Sequence, residues 1–153
     1  MKLTAIIVNY ESGSLAQTCA RSVREAWSRL GAAQDLDLVV VDQPGRVDQS
    51  VHLEAIAGEG ARIVQSPVND GYAGGMTRGL AGTSGKDDDL VLILNPDVLL
   101  ADDCLVQLHA HLRLNQNAGL VAPRTWLDEG RTFLLPTPQL PGGRSELCDL
   151  GAA

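Results

Sequence analysis

The chain has 153 residues, 44% of them hydrophobic, enough for one ordinary domain with its own core. A formal charge of −7, with Lys2 and Lys86 as its lysines, argues against a protein that sits on a phosphodiester backbone or an anionic lipid surface. A ligand as small as a nucleoside diphosphate stays compatible, provided a divalent cation, a helix N-terminus or a placed arginine meets its charge.

Leu3 to Val8 is a short β-branched run that stops at Asn9-Tyr10-Glu11-Ser12-Gly13, which predicts a buried strand and a turn. From Ser14 the period changes. Leu15, Cys19, Val23, Trp27 and Leu30 predict an amphipathic helix, with Ser14 and Gln17 as a capping box and Gly31 as its close. Leu36 to Val41 reads as a second strand ending at Asp42. Asp48 is the expected N-cap of a short helix carrying Val51, Ala55 and Ile56.

Ala61 to Gln65 is the third expected strand, Pro67 to Gly71 a loop, and Ala73 to Ala81 a helical turn that its glycines weaken in isolation. Leu90 to Leu94 is a fourth strand, ended by Asn95-Pro96-Asp97. Leu105, Leu108 and Leu112 mark the inner face of a further helix, Gly119 to Ala122 reads as strand-like, and Trp126 to Leu135 as a hairpin around Asp128-Glu129-Gly130. The domain expected from this pattern covers 1–135. The Pro- and Gly-rich tail, 136–153, reads as extended or poorly ordered.

Strands alternating with helices predict an α/β fold with a mainly parallel, Rossmann-like sheet flanked by helices and joined by right-handed crossovers. In such sheets ligands bind outside the carboxyl ends of the strands, where the strand order reverses. The residues expected there are Asn9 and Tyr10, Asp42, Asn69 to Gly75, and Asn95-Pro96-Asp97.

Tyr10 either covers the core or stacks on a base. Asp42 either forms a turn or accepts a hydrogen bond from a base imide. Gly71, Gly74 and Gly75 are either a plain turn or the opening of a helix whose N–H groups attract phosphate. Asp97, stiffened by Pro96, suits a Mg²⁺ or Mn²⁺ ion that bridges two phosphates. Arg78 either faces that diphosphate or is a solvated helix residue.

Asp87-Asp88-Asp89 precedes the fourth strand and reads as a solvated turn at the opposite edge. His109 and His111 are spaced so that they do not face each other, and neither they nor His52 suggest a metal cluster. Cys19, Cys104 and Cys148 form neither a disulfide framework nor a zinc motif and read as free thiols. No apolar run approaches the roughly 20 residues of a membrane span. The expected setting is the cytoplasm, with peripheral association at the inner membrane face left open.

The segments "AIIVNYESG", "LVVVDQPGRVDQSV", "VNDGYAGGMTRGL", "LVLILNPDVLL" and "GLVAPRTWLDEGRTFLLPTP" occur in an order that resembles the inverting GT-A glycosyltransferases of family two, and within them the rhamnosyltransferase-like branch. The resemblance runs from about Leu3 to about Pro138. It implies a nucleoside pocket from Val8, Asn9, Tyr10 and Asp42, diphosphate contacts near Gly74, Gly75 and Arg78, and a metal site in which Asn95-Pro96-Asp97 stands for the family's D-x-D motif.

The implied ligands are a nucleoside diphosphate sugar, Mg²⁺ or Mn²⁺, and a glycan or lipid-linked acceptor. The implied reaction is transfer of the sugar to an acceptor hydroxyl with inversion, as in cell-wall polysaccharide synthesis, with no nucleic acid involved. The chain departs from the family pattern at Gln43-Pro44-Gly45-Arg46 and at Met76 and Thr77.

The resemblance also implies a second, acceptor half that carries the catalytic base, and no counterpart precedes Ala153, so no base is nominated. A truncated enzyme, a site completed by a partner subunit or a second copy, and a non-catalytic binding or assembly module are the readings left. A nicotinamide-binding domain needs its glycine motif after the first strand rather than the third. A phosphoacceptor receiver domain needs a lysine later than Lys86.

Overall fold

The computed structural model describes residues 2–31, 35–83 and 89–123, and the backbone of 125–127 and 131–133. The chain divides into two compact units, Met1–Leu105 and Val106–Ala153. The first contains β1 (Lys2–Asn9), α1 (Gly13–Ser28), β2 (Asp35–Asp42), α2 (Ser50–Gly58), β3 (Arg62–Gln65), α3 (Gly71–Leu80) and β4 (Leu90–Leu94). Helix α4 (Cys104–Leu114) starts there and continues into the second unit, where β5 (Thr125–Leu127) and β6 (Arg131–Phe133) pair antiparallel, as the expected hairpin requires. The tail 136–153, Asp87, Asp88 and Cys148 lie outside the described residues.

The four strands of the first unit form one parallel sheet in the order β3-β2-β1-β4. Strand β1 is buried along almost its whole length because it is paired on both edges and covered on both faces. Its alternation divides the core. Ala5 and Ile7, with Leu38 and Val40 of β2, meet α1 and α2 on one face, while Ile6, Val8, Val39 and Val41 meet Met76 of α3 on the other.

The first two crossovers therefore step one way over one face, and the third steps back over the other. All three share one hand, as the right-handed rule requires. The order reverses between β1 and β4, so the crevice of this sheet opens between the loops that follow those strands.

Helix α1 buries Ala16, Cys19, Ala20, Val23, Ala26 and Trp27, and Gly31, at φ +93, ends its last turn in the left-handed region. Leu15, expected on the inner face, is half exposed, and small residues carry the stripe instead. The expected capping box does not form. The helix begins at Gly13, where a side chain would strike Gln49 and His52, so Ser14 and Gln17 lie inside it. The Gly13 N–H is taken by Gln49 Oε1, and the Gln17 amide oxygen meets His52 Nδ1 at 3.0 Å.

Helix α2, by contrast, starts one residue later than expected, with Gln49 at the N-cap and Asp48 accepting the Ser50 N–H at 2.9 Å. That N–H holds the Asp48 carboxyl below the usual carboxylate range. Its inner residues are Leu53 and Ile56, while Val51 faces water. In α4, Leu105 and Leu108 are buried as expected. Gly119 to Ala122, expected as strand-like, forms no strand, and Leu120 is 82% exposed.

The glycines of α3 are a packing device. A Cβ on Gly75 would lie 2.6 Å from Val8 Cγ1, and one on Gly79 would lie 2.6 Å from Ile6 Cγ2 and 3.2 Å from Val41 Cγ2. One turn apart, they let the helix backbone settle directly on the sheet. Helix propensity alone makes Gly→Ala favourable by up to ~1 kcal/mol. At Gly79 the overpacking cost of ~1–3 kcal/mol outweighs it. Gly79→Ala therefore lowers the urea midpoint, whereas Gly58→Ala, where a Cβ meets nothing within 4 Å, leaves it unchanged or raises it; equal responses would contradict this packing account.

Cys19 is fully buried, and its thiol donates to the Asn95 carbonyl at 3.6 Å, tying α1 to the end of β4. Burial, assisted by the negative charge of Asp97, pushes that thiol up to about 12. An acid raised in the folded state keeps its full stabilisation below its unfolded value near 9 and loses it as pH climbs toward 12. Between those limits the unfolded chain alone releases the proton, at ~1.4 kcal/mol per pH unit. Wild type should thus lose about 1 kcal/mol more than Cys19→Ala between pH 9 and pH 10 in urea denaturation, and parallel losses would contradict the assignment.

Candidate functional site

Because the strands are parallel and in register, Asn9, Asp42 and Gln65 end side by side, and Leu94 stands opposite Ile7. The loops carrying Tyr10, Asp42, Gly71 to Gly75 and Asp97 therefore leave one edge of the sheet. The opposite edge holds a separate acid-base group. Lys2 and Arg62 approach Asp37 at 3.4 and 3.5 Å, and Asp89 accepts the Lys2 N–H at 2.8 Å. Asp89 accordingly lies where the sequence puts it, away from the strand ends that carry the crevice.

At the end of β1, Asn9 is fully buried. Its Nδ2 donates to Asp42 Oδ1 at 2.7 Å, its Oδ1 accepts the Ser12 N–H at 3.2 Å, and its carbonyl accepts the Gln43 N–H at 2.9 Å. Asn9 thus sits behind Asp42 and orients it, leaving the second carboxylate oxygen of Asp42 uncommitted among the described residues. Val8 is buried beneath Gly75. Tyr10 stands at the rim, 49% exposed.

Glu11 adopts the left-handed conformation at φ 53 and turns its carboxylate toward the loop that follows β2, where it accepts the Arg46 N–H. Gly45 leaves room for it. A cleft of about 280 Å³ opens here, lined among others by Glu11, Asp42, Gln43, Asp48, Leu53 and Gln65. Gln43 went unnoticed in the sequence as a site residue. Its Nε2 donates to the Gly71 carbonyl at 2.7 Å, a contact between chain segments 28 residues apart that no local pattern reveals.

Helix α3 opens at this edge. Gly71 has φ +74, which glycine adopts without strain. The N-cap residue Asp70 makes no side-chain bond to the first turn. Its carboxylate instead lies across Gly74, where a Cβ would collide with it, and binds Arg78 through Nη2 at 2.8 Å and Nε at 3.0 Å. Arg78 is thus neither a free rim cation nor a purely solvated residue. Gly75 faces the sheet, and the first-turn N–H groups of α3 face the strand-end edge.

Across the crevice, Asn95 is exposed at the start of a turn closed by the Val98 N–H on its carbonyl at 3.3 Å, and Asp97 is exposed within that turn. Tyr72, in the first turn of α3, has its phenol raised chiefly by burial, with the nearby Cys19 and Asp97 groups adding to the shift, so it stays neutral. No group of three His, Cys, Asp or Glu side chains able to cage a metal occurs among the described residues. No helix among them is long and apolar enough to cross a membrane.

Among solved structures, the chain is similar to S. aureus TarS 1-349, with a TM-score of 0.58 at 16% identity over 84% of this chain and 40% of that one. It also matches M. tuberculosis glucosyl-3-phosphoglycerate synthase, with a TM-score of 0.49 at 24% identity over 74% of this chain and 40% of that one. The chain therefore spans about 40% of the length of these two structures. No match was found among curated proteins. The TarS likeness extends the parallel sheet, helices on both faces and strand order described above to a known architecture, the Rossmann-like amino-terminal half of the GT-A fold. Residues 4–146, nearly the whole chain, match the sequence model of glycosyl transferase family 2, and the chain belongs to that family.

Proposed function

We propose that this chain is the donor-binding part of a glycosyltransferase that takes a nucleoside diphosphate sugar, with a divalent metal, for transfer to an acceptor hydroxyl with inversion. The observation that carries this reading is the convergence at one edge of a carboxylate oriented from behind, Asp42 on Asn9, with an open α3 amino terminus and a second carboxylate, Asp97, beyond the strand-order reversal. Family membership supports glycosyl transfer as the chemistry. The motifs around Asn95-Pro96-Asp97 and Gly119 to Pro138 favour a rhamnosyl or related hexosyl donor and a cell-wall type of glycan or lipid-linked acceptor.

In this reading the base enters the cleft of about 280 Å³, a size that suits a nucleoside rather than an entire nucleotide sugar. The free oxygen of Asp42 accepts a base N–H while Asn9 keeps the other occupied, and Tyr10 stacks on the ring. Val8 supports the turn at Gly75 from below. The free N–H groups of the α3 first turn, at Tyr72 and Ala73, would meet a diphosphate lying near Gly74 and Gly75. Arg78 reaches it by exchanging its hold on Asp70 for a phosphate oxygen.

Asp97, with the adjacent Asn95, would hold Mg²⁺ or Mn²⁺. A lone exposed carboxylate on a proline-stiffened turn, without a three-ligand cage among the described residues, fits a cation that keeps waters and takes the rest of its oxygens from the substrate's phosphates. When bound, such an ion neutralises the charge that develops on the leaving diphosphate. The neutral Tyr72 phenol beside Asp97 donates to the same region without adding charge.

A second reading is a donor-binding module without turnover. It is favoured by the engagement of the crevice acids: Asp42 with Asn9, Glu11 with the Arg46 N–H, Asp70 with Arg78, and Asp97 with the metal, leaving none of these four to deprotonate an acceptor. Association with a second copy or a partner subunit would supply the base. A cytoplasmic setting, at the membrane face where lipid-linked acceptors lie, accords with either reading.

Isothermal titration with UDP-, dTDP- and GDP-sugars, with and without Mn²⁺, tests the proposal. One of these donors should bind more tightly with metal, and Asp97→Ala should abolish that gain, about tenfold or more, without changing the far-ultraviolet spectrum. Unchanged metal-dependent affinity in Asp97→Ala would remove the role assigned to it. Slow hydrolysis of the bound donor separates the enzyme from the module.

A further inference from the structure

Gln43 is the first residue beyond β2, next to Asp42, and its side chain is 4% exposed. It reaches under the opening turn of α3. Its Nε2 donates to the Gly71 carbonyl at 2.7 Å and lies 3.1 Å from where a Gly75 Cβ would be, so it spans the turn from its first residue to its fifth. The amide can stand only one way round, because the reversed orientation would set its oxygen against the Gly71 carbonyl, acceptor to acceptor.

That orientation leaves Oε1 buried and without a hydrogen-bond partner. A leucine or methionine would fill the same space without an unmet polar atom, so the polar side chain brings a local cost. At this turn Asp70 caps no N–H group of α3, because its carboxylate is drawn off toward Arg78, and the Asn69 side chain takes only the Gly71 N–H, at 3.1 Å. The turn is thus held from below by one neutral donor, while the N–H groups of Tyr72 and Ala73 are left for something outside the chain.

We infer that Gln43 is a positioning residue that sets the amino-terminal turn of α3 for the donor diphosphate, an inference that rests on the donor-site reading above. Gln43 grips the carbonyl of the glycine whose left-handed φ shapes the turn, and its own N–H is fixed on the Asn9 carbonyl. One rigid segment, Asp42-Gln43, therefore carries the base-reading carboxylate on one side and the anchor of the phosphate turn on the other. Such an anchor governs affinity for phosphates and leaves base recognition alone, whereas a plain structural peg affects both or neither.

The test compares a nucleoside with its diphosphate, using uridine and UDP, thymidine and dTDP, or guanosine and GDP, whichever pair the wild-type chain binds in the presence of Mn²⁺. Gln43→Met, which keeps the volume and loses the donor, should weaken the diphosphate about tenfold and leave the nucleoside within about twofold. Gln43→Glu should show the same defect at pH 8, relative to wild type in the same buffer. It should recover part of its affinity at pH 5, where a protonated carboxyl can again donate to the Gly71 carbonyl.

Should both variants fold poorly, the wild-type chain still decides the matter. Its Gln43 Nε2–H signals in an amide correlation spectrum should shift on adding the diphosphate and stay in place on adding the nucleoside. Equal losses for nucleoside and diphosphate, no loss for either, or an unmoved Gln43 signal would overturn the inference while leaving the donor site standing. A wild-type chain that binds no nucleoside diphosphate would overturn both.

Discussion

Because β1 lies between β2 and β4 and all three run the same way, whatever follows them must emerge at one edge of the sheet. The whole candidate site depends on that pairing. The register sets Asn9 beside Asp42, and their hydrogen bond makes this half-buried strand-end aspartate an oriented acceptor. The glycines of α3 serve the same arrangement. By letting the helix lie on Val8 and Ile6, Gly75 and Gly79 bring its first turn down to the level of the strand ends instead of lifting it away by the width of a side chain.

Charge poses the opposite problem. A chain of net charge −7 carries Glu11, Asp42, Asp70 and Asp97 on loops at one edge of the sheet, Glu11 and Asp42 lining the cleft itself, where the proposed function brings an anion. The geometry limits the conflict by occupying three of these acids internally, with an amide, a backbone N–H and a guanidinium respectively accepted by Asp42, Glu11 and Asp70. In the proposed function Asp97 is the one left to face a cation, and the nearby Cys19 and Tyr72 are both raised, chiefly by burial. In the proposed function a metal arriving with the diphosphate would resolve both charges at once.

The strands were legible in the sequence because buried parallel strands are short unbroken apolar runs, and Leu3 to Val8, Leu36 to Val41 and Leu90 to Leu94 are such runs. Their alternation with helices made the common edge legible too. Helix faces were less so. In α1 the buried stripe is built on Ala16, Ala20 and Ala26, while Leu15 points outward, so weighting large residues chooses a neighbouring face. Helix starts were displaced for a tertiary reason: Gln49 caps Gly13 from 36 residues away, a donor–acceptor match that local capping rules do not contain. Gln43 and the Asp70–Arg78 pair escaped notice similarly, since each gains its meaning only when α3 is laid against the end of the sheet.

Substoichiometric Mn²⁺ added to the ¹⁵N-labelled chain with a nucleoside diphosphate tests the central claim most directly, because paramagnetic broadening reports where the ion sits. The account predicts selective loss of amide signals from Tyr10, Gly71 to Gly75 and Asn95 to Val98. Broadening centred instead on Asp35, Asp37 and Asp89, at the far edge of the sheet, would contradict it.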